Sequence, residues 1–114
     1  MAIEPVAESM DNLCHDSCDF LVSIGDNFYQ RGVRDIYDER WKNVFENVYG
    51  NTSERKNLKM LDFWQILGNH DYYQNATAQI MYSDQMETSF KLPWFWYTLF
   101  IDKGQDCGFL IRTC

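Results

Sequence analysis

The sequence predicts an α/β fold in which helices alternate with parallel strands. Two short apolar runs, residues 19–24 and 60–67, each end in a glycine that is followed by a polar side chain. Helix-like patterns precede the first run and separate it from the second, an order that is typical of layered α/β proteins. Two further apolar runs, residues 94–101 and 107–112, flank turn residues and predict a C-terminal hairpin.

The first predicted helix covers residues 3–17. Its apolar side chains recur at the spacing of one helical face, and a proline in the first turn is tolerated. These apolar positions are Ile3, Val6, Ala7, Met10, Leu13 and Cys14. Residues 19–24 then form a short apolar run that includes β-branched side chains, which predicts a buried strand of a parallel sheet.

The second predicted helix covers residues 35–50, with Asp35 as its N-cap and Gly50 at its C-terminal end. Its apolar face is formed by Tyr37, Trp41, Val44, Phe45 and Val48. Residues 51–59 are polar and aperiodic, which predicts a loop before the strand of residues 60–67.

A short third helix is predicted within residues 75–85. Either Asn75 or Thr77 is suited to cap its start. Pro93 then opens the strand of residues 94–101, and turn residues separate that strand from the last one.

Composition indicates one globular domain over residues 1–114. The chain is 46% hydrophobic and 17% aromatic, which is too apolar for a disordered segment. Its net charge of −7 disfavours nucleic acid as a partner, because phosphate-backbone binding depends on basic residues. No signal peptide and no membrane span are expected, since the first twenty residues have neither a basic start nor a continuous apolar core.

Two features concern the cell compartment. Asn51 and Asn75 each begin an N-glycosylation acceptor tripeptide, a pattern that matters in secretory compartments and that also arises by chance. Four cysteines are present, and Cys14 and Cys18 are close enough along a helix for a bridge, although spacing alone does not assign their pairing. The alternative use of these cysteines with His15 as zinc ligands is disfavoured by their spacing.

Polar side chains follow both of the first two strands. Asp26 comes directly after Gly25, and Asn69 and His70 come directly after Gly68. Because ligands of open parallel sheets collect beyond the carboxyl ends of the strands, we expect these side chains to converge in one cleft. Carboxylate, amide and phenol oxygens are metal donors, and an imidazole at the rim is suited to hold a phosphate oxygen or to protonate a leaving alkoxide.

These motifs carry a resemblance. Gly25-Asp26-Asn27-Phe28-Tyr29 and Gly68-Asn69-His70-Asp71 resemble the GDxxY and GNH(D/E) motifs of the purple acid phosphatases, within the calcineurin-like metallophosphoesterase superfamily. The branch of tartrate-resistant acid phosphatases looks closest, over roughly residues 3–112. The resemblance implies an incomplete metallophosphoesterase fold of parallel strands, flanking helices and a C-terminal hairpin, which together form part of a β-sandwich core.

The resemblance also implies a site. Asp26 would bridge Fe(III) and a second ion, Fe(II) or Zn(II); Tyr29 would be the phenolate on Fe(III); and Asn69 would be a ligand of the second ion. His70 would be the catalytic residue that contacts substrate. The implied activity is hydrolysis of phosphate monoesters at acid pH, in a secreted, lysosomal or vacuolar protein.

The pattern of that family is incomplete here. An upstream Asp-x-Gly and the later histidine ligands are missing, and the similar letters at residues 102–104 and 106–108 fall in a turn, where Asp and Gly are common for backbone reasons. We therefore expect a partial chain that is inactive alone and that self-associates through an uncovered sheet edge. A non-catalytic relative with a binding or regulatory role is the alternative.

Overall fold

The computed structural model describes residues 3–102 and 106–112, with side chains for residues 4–99. Its helices are α1 (Ile3–Leu13) and α2 (Ala76–Gln85). Its strands are β1 (Leu21–Val22), β2 (Phe63–Trp64), β3 (Phe90–Lys91), β4 (Trp96–Asp102) and β5 (Asp106–Arg112). A π-helical segment covers Trp41–Glu46, and short 3-10 turns cover Leu58–Met60 and Asn69–Tyr73.

The first three strands form a parallel sheet in the order β1, β2, β3, with Leu21 opposite Phe63 and Phe63 opposite Phe90. The predicted α/β class with parallel pairing is confirmed, and β3 is a strand that periodicity did not reveal. β1 and β2 have two residues each and are much shorter than the predicted strands of residues 19–24 and 60–67. β1 is an edge strand and is not buried, since Val22 is 48% exposed and Ile24, just beyond it, is 90% exposed.

Helix α1 ends four residues earlier than predicted. Asp16 has a φ of 62°, a left-handed backbone angle that ends helical geometry. A disulfide joins Cys14 to Cys18 across this turn, so the structure assigns the pairing that spacing left open. The helix face is narrower than predicted, because Ala7 and Cys14 are buried while Leu13 is 75% exposed.

The prediction of a helix over residues 35–50 is wrong for its first half. The carboxylate of Asp38 accepts hydrogen bonds from the main-chain N–H of Arg34 at 2.8 Å and of Arg40 at 2.9 Å. Such side-chain bonds compete with helical ones, so residues 35–40 form turns and the helical segment starts at Trp41. Tyr37 is accordingly 79% exposed and does not belong to the apolar face.

The core is built from aromatic rings of separate elements. Trp41 stacks on Tyr82 with ring centroids 3.6 Å apart and planes 2° apart. The rings of Phe28 and Phe90 meet Trp41 edge-on at 4.7 and 4.9 Å. Stacked and edge-to-face rings pack large apolar area with specific geometry, so these contacts tie the π-helical segment to α2 and β3.

A buried carboxylate reinforces the same junction. Glu46 accepts hydrogen bonds from the hydroxyl of Tyr82 at 2.6 Å and of Thr88 at 2.7 Å. Burial and the bond to Glu46 raise the pKa of Tyr82 well above its usual value. The neutral phenol therefore remains the donor that satisfies this carboxylate.

Helix α2 confirms the predicted third helix and selects its cap. Oδ1 of Asn75 accepts a hydrogen bond of 3.1 Å from the main-chain N–H of Ala78, so Asn75 rather than Thr77 is the N-cap. The predicted hairpin is confirmed as the antiparallel pair β4 and β5, while turn residues 103–105 lie outside the described residues. The hydroxyl of Tyr97 donates to the main-chain oxygen of Gln65 at 2.7 Å and so attaches β4 beside β2.

Helices in the described part of the chain are short. The longest is α1 with 11 residues, and none of those described has the length and apolar character needed to cross a bilayer.

Candidate functional site

Two loops meet at the carboxyl edge of the parallel sheet. We call residues 25–30 loop 1 and residues 68–73 loop 2. Because β1 and β2 are parallel neighbours, the loops that follow them start side by side. A Cβ on Gly25 would lie 3.1 Å from Cα of Gly68, and a Cβ on Gly68 would overlap the side chain and main-chain nitrogen of Asp26. The two glycines therefore permit this close approach.

Loop 1 begins with an unusual backbone. Gly25 has a φ of 104° and Asp26 a φ of 52°. Glycine adopts such angles freely, whereas an aspartate there is uncommon and is a mark of functional sites. This turn places the Asp26 carboxylate over the start of loop 2.

The carboxylate of Asp26 binds both loops. Its Oδ2 accepts a hydrogen bond of 3.1 Å from the hydroxyl of Tyr29, and its Oδ1 accepts one of 3.1 Å from the main-chain N–H of His70. The structure thus brings together Asp26, Tyr29 and the backbone of His70, three of the positions singled out in the sequence.

The phenol of Tyr29 is 47% exposed. Its hydrogen bond to Asp26, together with the nearby carboxylates, raises its pKa above the usual value of 10.0. These groups make the phenol harder to ionise, and a bound cation would favour the phenolate.

His70 lies between two tyrosine rings. Its ring centroid is 5.0 Å from that of Tyr29 and 5.1 Å from that of Tyr73. Nδ1 is 2.6 Å from the main-chain oxygen of Gln30. A carbonyl oxygen only accepts, so Nδ1 carries the hydrogen and Nε2 is the ring atom left for other chemistry.

Asn69 is exposed, and its side chain points to a different partner. Its Nδ2 donates to the hydroxyl of Tyr73 at 3.3 Å. It is joined to the other candidates through its neighbour His70 rather than by a direct contact.

Sequence reasoning did not assign Asp71 a role at the site. The carboxylate is fully buried and accepts main-chain hydrogen bonds from Asn27 at 3.0 Å, Phe28 at 3.1 Å and Gly68 at 2.8 Å. A charged group with this many donors holds both loops together. Its position in the second motif was the only sequence signal, because burial cannot be read from a single polar residue in a loop.

A cavity of about 340 Å³ opens beside the site. Asp26, Asn27 and Tyr29 contribute to its wall. Most of the lining is apolar and comes from the core: Phe28, Val44, Phe45, Tyr49, Phe63 and Phe90. The candidate site therefore has a polar loop side and an apolar core side.

The donors present fit part of a metal centre. Asp26, Tyr29 and Asn69 offer a carboxylate, a phenol and an amide oxygen, the hard donors that suit Fe(III) and similar ions. No three His, Cys, Asp or Glu side chains are grouped for metal binding within the described ranges. These residues therefore fit a portion of one coordination sphere, and a pair of ions needs further donors.

The two glycosylation candidates differ in their surroundings. Asn51 is exposed, and its Nδ2 donates to the main-chain oxygen of Glu87 at 2.7 Å. Asn75 is half-buried, with Nδ2 bonded to the main-chain oxygen of Arg34 at 3.0 Å and Oδ1 used as the cap of α2. Glycosylation at either position stays a prediction.

Comparison with known proteins gives partial matches. No family model matches the chain. It is 46% identical to human tartrate-resistant acid phosphatase type 5 over 65 residues, which is 57% of this chain and 19% of that protein. It is 42% identical to the rat protein of the same name over the same length, and 40% identical to purple acid phosphatase 17 of Arabidopsis thaliana over 62 residues. The chain thus matches about a fifth of the length of these curated relatives.

A solved structure extends the likeness to the fold. The chain is similar to the structure described as "GAP50 the anchor in the inner membrane complex of Plasmodium", with a TM-score of 0.72 and 25% identity. The match covers 93% of this chain and 35% of that one. The three-stranded parallel sheet with its helices and hairpin is consistent with an incomplete metallophosphoesterase fold. The curated matches show in addition that part of the chain is similar in sequence to tartrate-resistant and purple acid phosphatases.

Proposed function

We propose that this chain carries part of the active centre of a metal-dependent acid phosphatase that hydrolyses phosphate monoesters. The observation that supports this most is the cluster in which Asp26 is hydrogen-bonded to Tyr29 and to the main chain of His70 at the ends of two parallel strands. The named relatives are acid phosphatases, and their names support the same reaction class.

In this proposal Asp26, Tyr29 and Asn69 hold metal, with Fe(III) and either Fe(II) or Zn(II) as the ions. Asp26 has two carboxylate oxygens and is suited to bridge, and the exposed phenol of Tyr29 is suited to a ferric ion. When bound, a metal pair supplies Lewis acidity and lowers the pKa of a water molecule. The remaining ligands would be supplied by residues outside this set.

His70 is the proposed catalytic residue. The hydrogen on Nδ1 is held by the main-chain oxygen of Gln30, which leaves Nε2 available. When Nε2 is protonated, it can donate a hydrogen bond to a phosphate oxygen or a proton to the leaving alkoxide. The apolar cavity beside Asp26 and Tyr29 can take the organic part of a phosphate ester.

The direct test is titration of the purified chain with Fe(III), followed by visible absorption. Phenolate bound to ferric iron absorbs visible light, so we expect a band that Tyr29→Phe abolishes and that Asp26→Asn weakens. Tyr37→Phe is the matched control, because Tyr37 is 79% exposed and lies outside the site. A band that survives Tyr29→Phe would refute the assignment of Tyr29.

A second candidate is a non-catalytic relative that keeps the scaffold for binding or regulation. Two observations favour it: the likeness over 93% of the chain to a protein described as an anchor, and the lack of a three-residue His, Cys, Asp or Glu cluster in the described ranges. Metal analysis and an aryl phosphate assay, on a form of the protein that includes the remaining segments of the relatives' fold, distinguish the two. Two equivalents of metal with turnover support the phosphatase, and a folded protein with neither supports the second candidate.

We also propose a secreted, lysosomal or vacuolar location. Disulfides persist in oxidising compartments, and the bond between Cys14 and Cys18 fits such a setting. A glycan on exposed Asn51 would agree with this location. A mobility shift on enzymatic deglycosylation that is absent in Asn51→Gln tests the assignment.

A further inference from the structure

Gln79 is a fully buried polar side chain of α2. Its Nε2 donates a hydrogen bond of 3.0 Å to Oδ1 of Asp71, and its Oε1 accepts one of 3.1 Å from Nδ2 of Asn27. Both ends of one amide are thus bonded to residues of the two loops, Asn27 in loop 1 and Asp71 in loop 2. Neither motif contains Gln79.

Asn27 links the ends of the first two strands. Its Oδ1 accepts a hydrogen bond of 2.7 Å from the hydroxyl of Ser23, and its Nδ2 donates to the main-chain oxygen of Ile66 at 2.9 Å. The second hydrogen of Nδ2 is taken by Gln79. These partners determine the orientation of the Asn27 amide, since each end of it faces a group of the required polarity.

The Asp71 carboxylate is also bonded to the Gln79 side chain. Its main-chain donors come from loop 1 and from the start of loop 2, while Gln79 is its side-chain donor from outside both loops. A buried carboxylate is costly unless its oxygens are satisfied, so loss of one donor weakens the whole set.

We propose that Gln79 is a positioning residue: from α2 it holds the Asp71 carboxylate and the Asn27 amide so that loop 1 stays against loop 2, with Asp26 beside His70. The proposal rests on the proposed function only in what it says of metal affinity. The ordering of the loops is a property of the folded chain and can be measured without metal.

The polarity of the contacts makes the role specific to glutamine. One side chain must donate to a carboxylate and accept from an amide at the same time. Gln79→Glu keeps the shape and the acceptor for Asn27 but loses the donor to Asp71, and Gln79→Met removes both. The matched control is Gln65→Met, because Gln65 is a glutamine only 2% exposed whose Nε2 bonds the main-chain oxygen of Phe63 instead of a loop residue.

The experiment is amide hydrogen exchange of the metal-free chain, measured by NMR. The reporters are the main-chain amides of Asn27, Phe28 and Gly68, which donate to Asp71. The references are the amides of Leu21 and Phe63, which donate within the sheet. In both Gln79 variants we expect the reporters to exchange about tenfold faster relative to the references, the size that one lost hydrogen bond to a charged group predicts. Gln65→Met should leave that ratio unchanged.

An equal ratio in the Gln79 variants and in Gln65→Met would overturn the proposal. If both Gln79 variants unfold, Asn27→Ala is measured in their place, because Asn27 is the less buried of the two side chains bonded to Gln79. An unchanged exchange rate of the Gly68 amide in Asn27→Ala would then overturn the proposal. Fe(III) titration of the folded variants follows, with about tenfold weaker binding expected for Gln79→Met than for Gln65→Met. Failure of the wild-type chain to bind Fe(III) would refute the metal site while the exchange ratio still decides the role of Gln79.

Discussion

Oδ1 of Asp26 accepts a hydrogen bond of 3.1 Å from the main-chain N–H of His70, which lies 44 residues further along the chain. This bond exists because Gly68 has no side chain at the point where loop 2 passes under the Asp26 carboxylate. The arrangement of the candidate site therefore depends on the packing of two strand ends as much as on its metal-binding side chains.

The packing of Gly68 gives the first prediction. A Cβ there would overlap Asp26, so Gly68→Ala must displace one loop. We expect a loss of roughly 1–3 kcal/mol in the free energy of unfolding, measured in urea, and weaker Fe(III) binding. Ser9→Ala, on the exposed side of α1, is the control and should change stability little. Wild-type stability in Gly68→Ala would contradict the close approach of the loops.

Asp38 should make the protein sensitive to acid. The guanidinium of Arg40, which is 2.7 Å from the carboxylate, and main-chain N–H groups hold the pKa of Asp38 well below its usual value of 3.8. Because the folded-state pKa is the lower one, this contribution to stability is complete above pH 3.8 and is lost as the pH falls below it.

The corresponding variant is Asp38→Asn. We expect it to lower the free energy of unfolding at neutral pH by about 2 kcal/mol and to reduce the fall in stability below about pH 4. Urea unfolding at several pH values measures both effects, and Asp84→Asn, at an exposed position of α2, is the control. Parallel pH curves for wild type and Asp38→Asn would show that this carboxylate does not cause the acid sensitivity.

We expect Tyr97 to make the folded protein less stable at alkaline pH. Burial raises the pKa of its phenol to about 12, against a usual value of 10.0. A raised folded-state pKa means that the stabilisation is complete below about pH 10 and is lost as the pH rises towards about 12.

Tyr97→Phe tests this response. The variant loses the hydrogen bond to Gln65, at a cost of about 1 kcal/mol at neutral pH, and should show a smaller loss of stability at alkaline pH. Exposed Tyr37 provides the control variant Tyr37→Phe. Equal alkaline losses in Tyr97→Phe and wild type would rule out Tyr97 as the responsible group.

The aromatic stack predicts where core truncation is most costly. Trp41 is 2% exposed and stacks on Tyr82, so Trp41→Ala should lower the free energy of unfolding by roughly 3–5 kcal/mol. Trp94 is 53% exposed, and Trp94→Ala should cost less than about 1 kcal/mol. Thermal and urea unfolding compare the two, and similar losses would show that Trp41 is not central to the core.

We predict self-association through the open edge of β1. Within the described residues β1 pairs only with β2. The side chain of Val22, in β1, and that of Ile24, just beyond it, are exposed. Unpaired strand edges with apolar side chains favour contact between copies. Ile24→Lys should shift sedimentation towards the monomer, and Ser9→Lys, at an exposed position of α1, controls for the single added charge. A wild-type chain that remains monomeric at every concentration would refute this prediction.

Local signals were the most predictive part of the sequence. Asn75 caps α2 by a hydrogen bond to Ala78, only three residues away in sequence, and the helix has close to the predicted extent. Residues 35–50 were predicted poorly for the opposite reason. Their apolar spacing is helical, but the buried Asp38 carboxylate takes main-chain donors on both sides and replaces the first helical turns.

By itself, the sequence determined the α/β class, the parallel pairing and the two motifs at the strand ends, because periodicity, glycine and short polar side chains act over a few residues. The tertiary structure alone decided which polar groups are buried and what they bind. Gln79 is bonded to Asn27, 52 residues away in sequence, and to Asp71, eight residues away. Rules based on residue spacing do not predict such contacts. Burial strengthens these bonds by excluding water, and burial is a property of the packed chain.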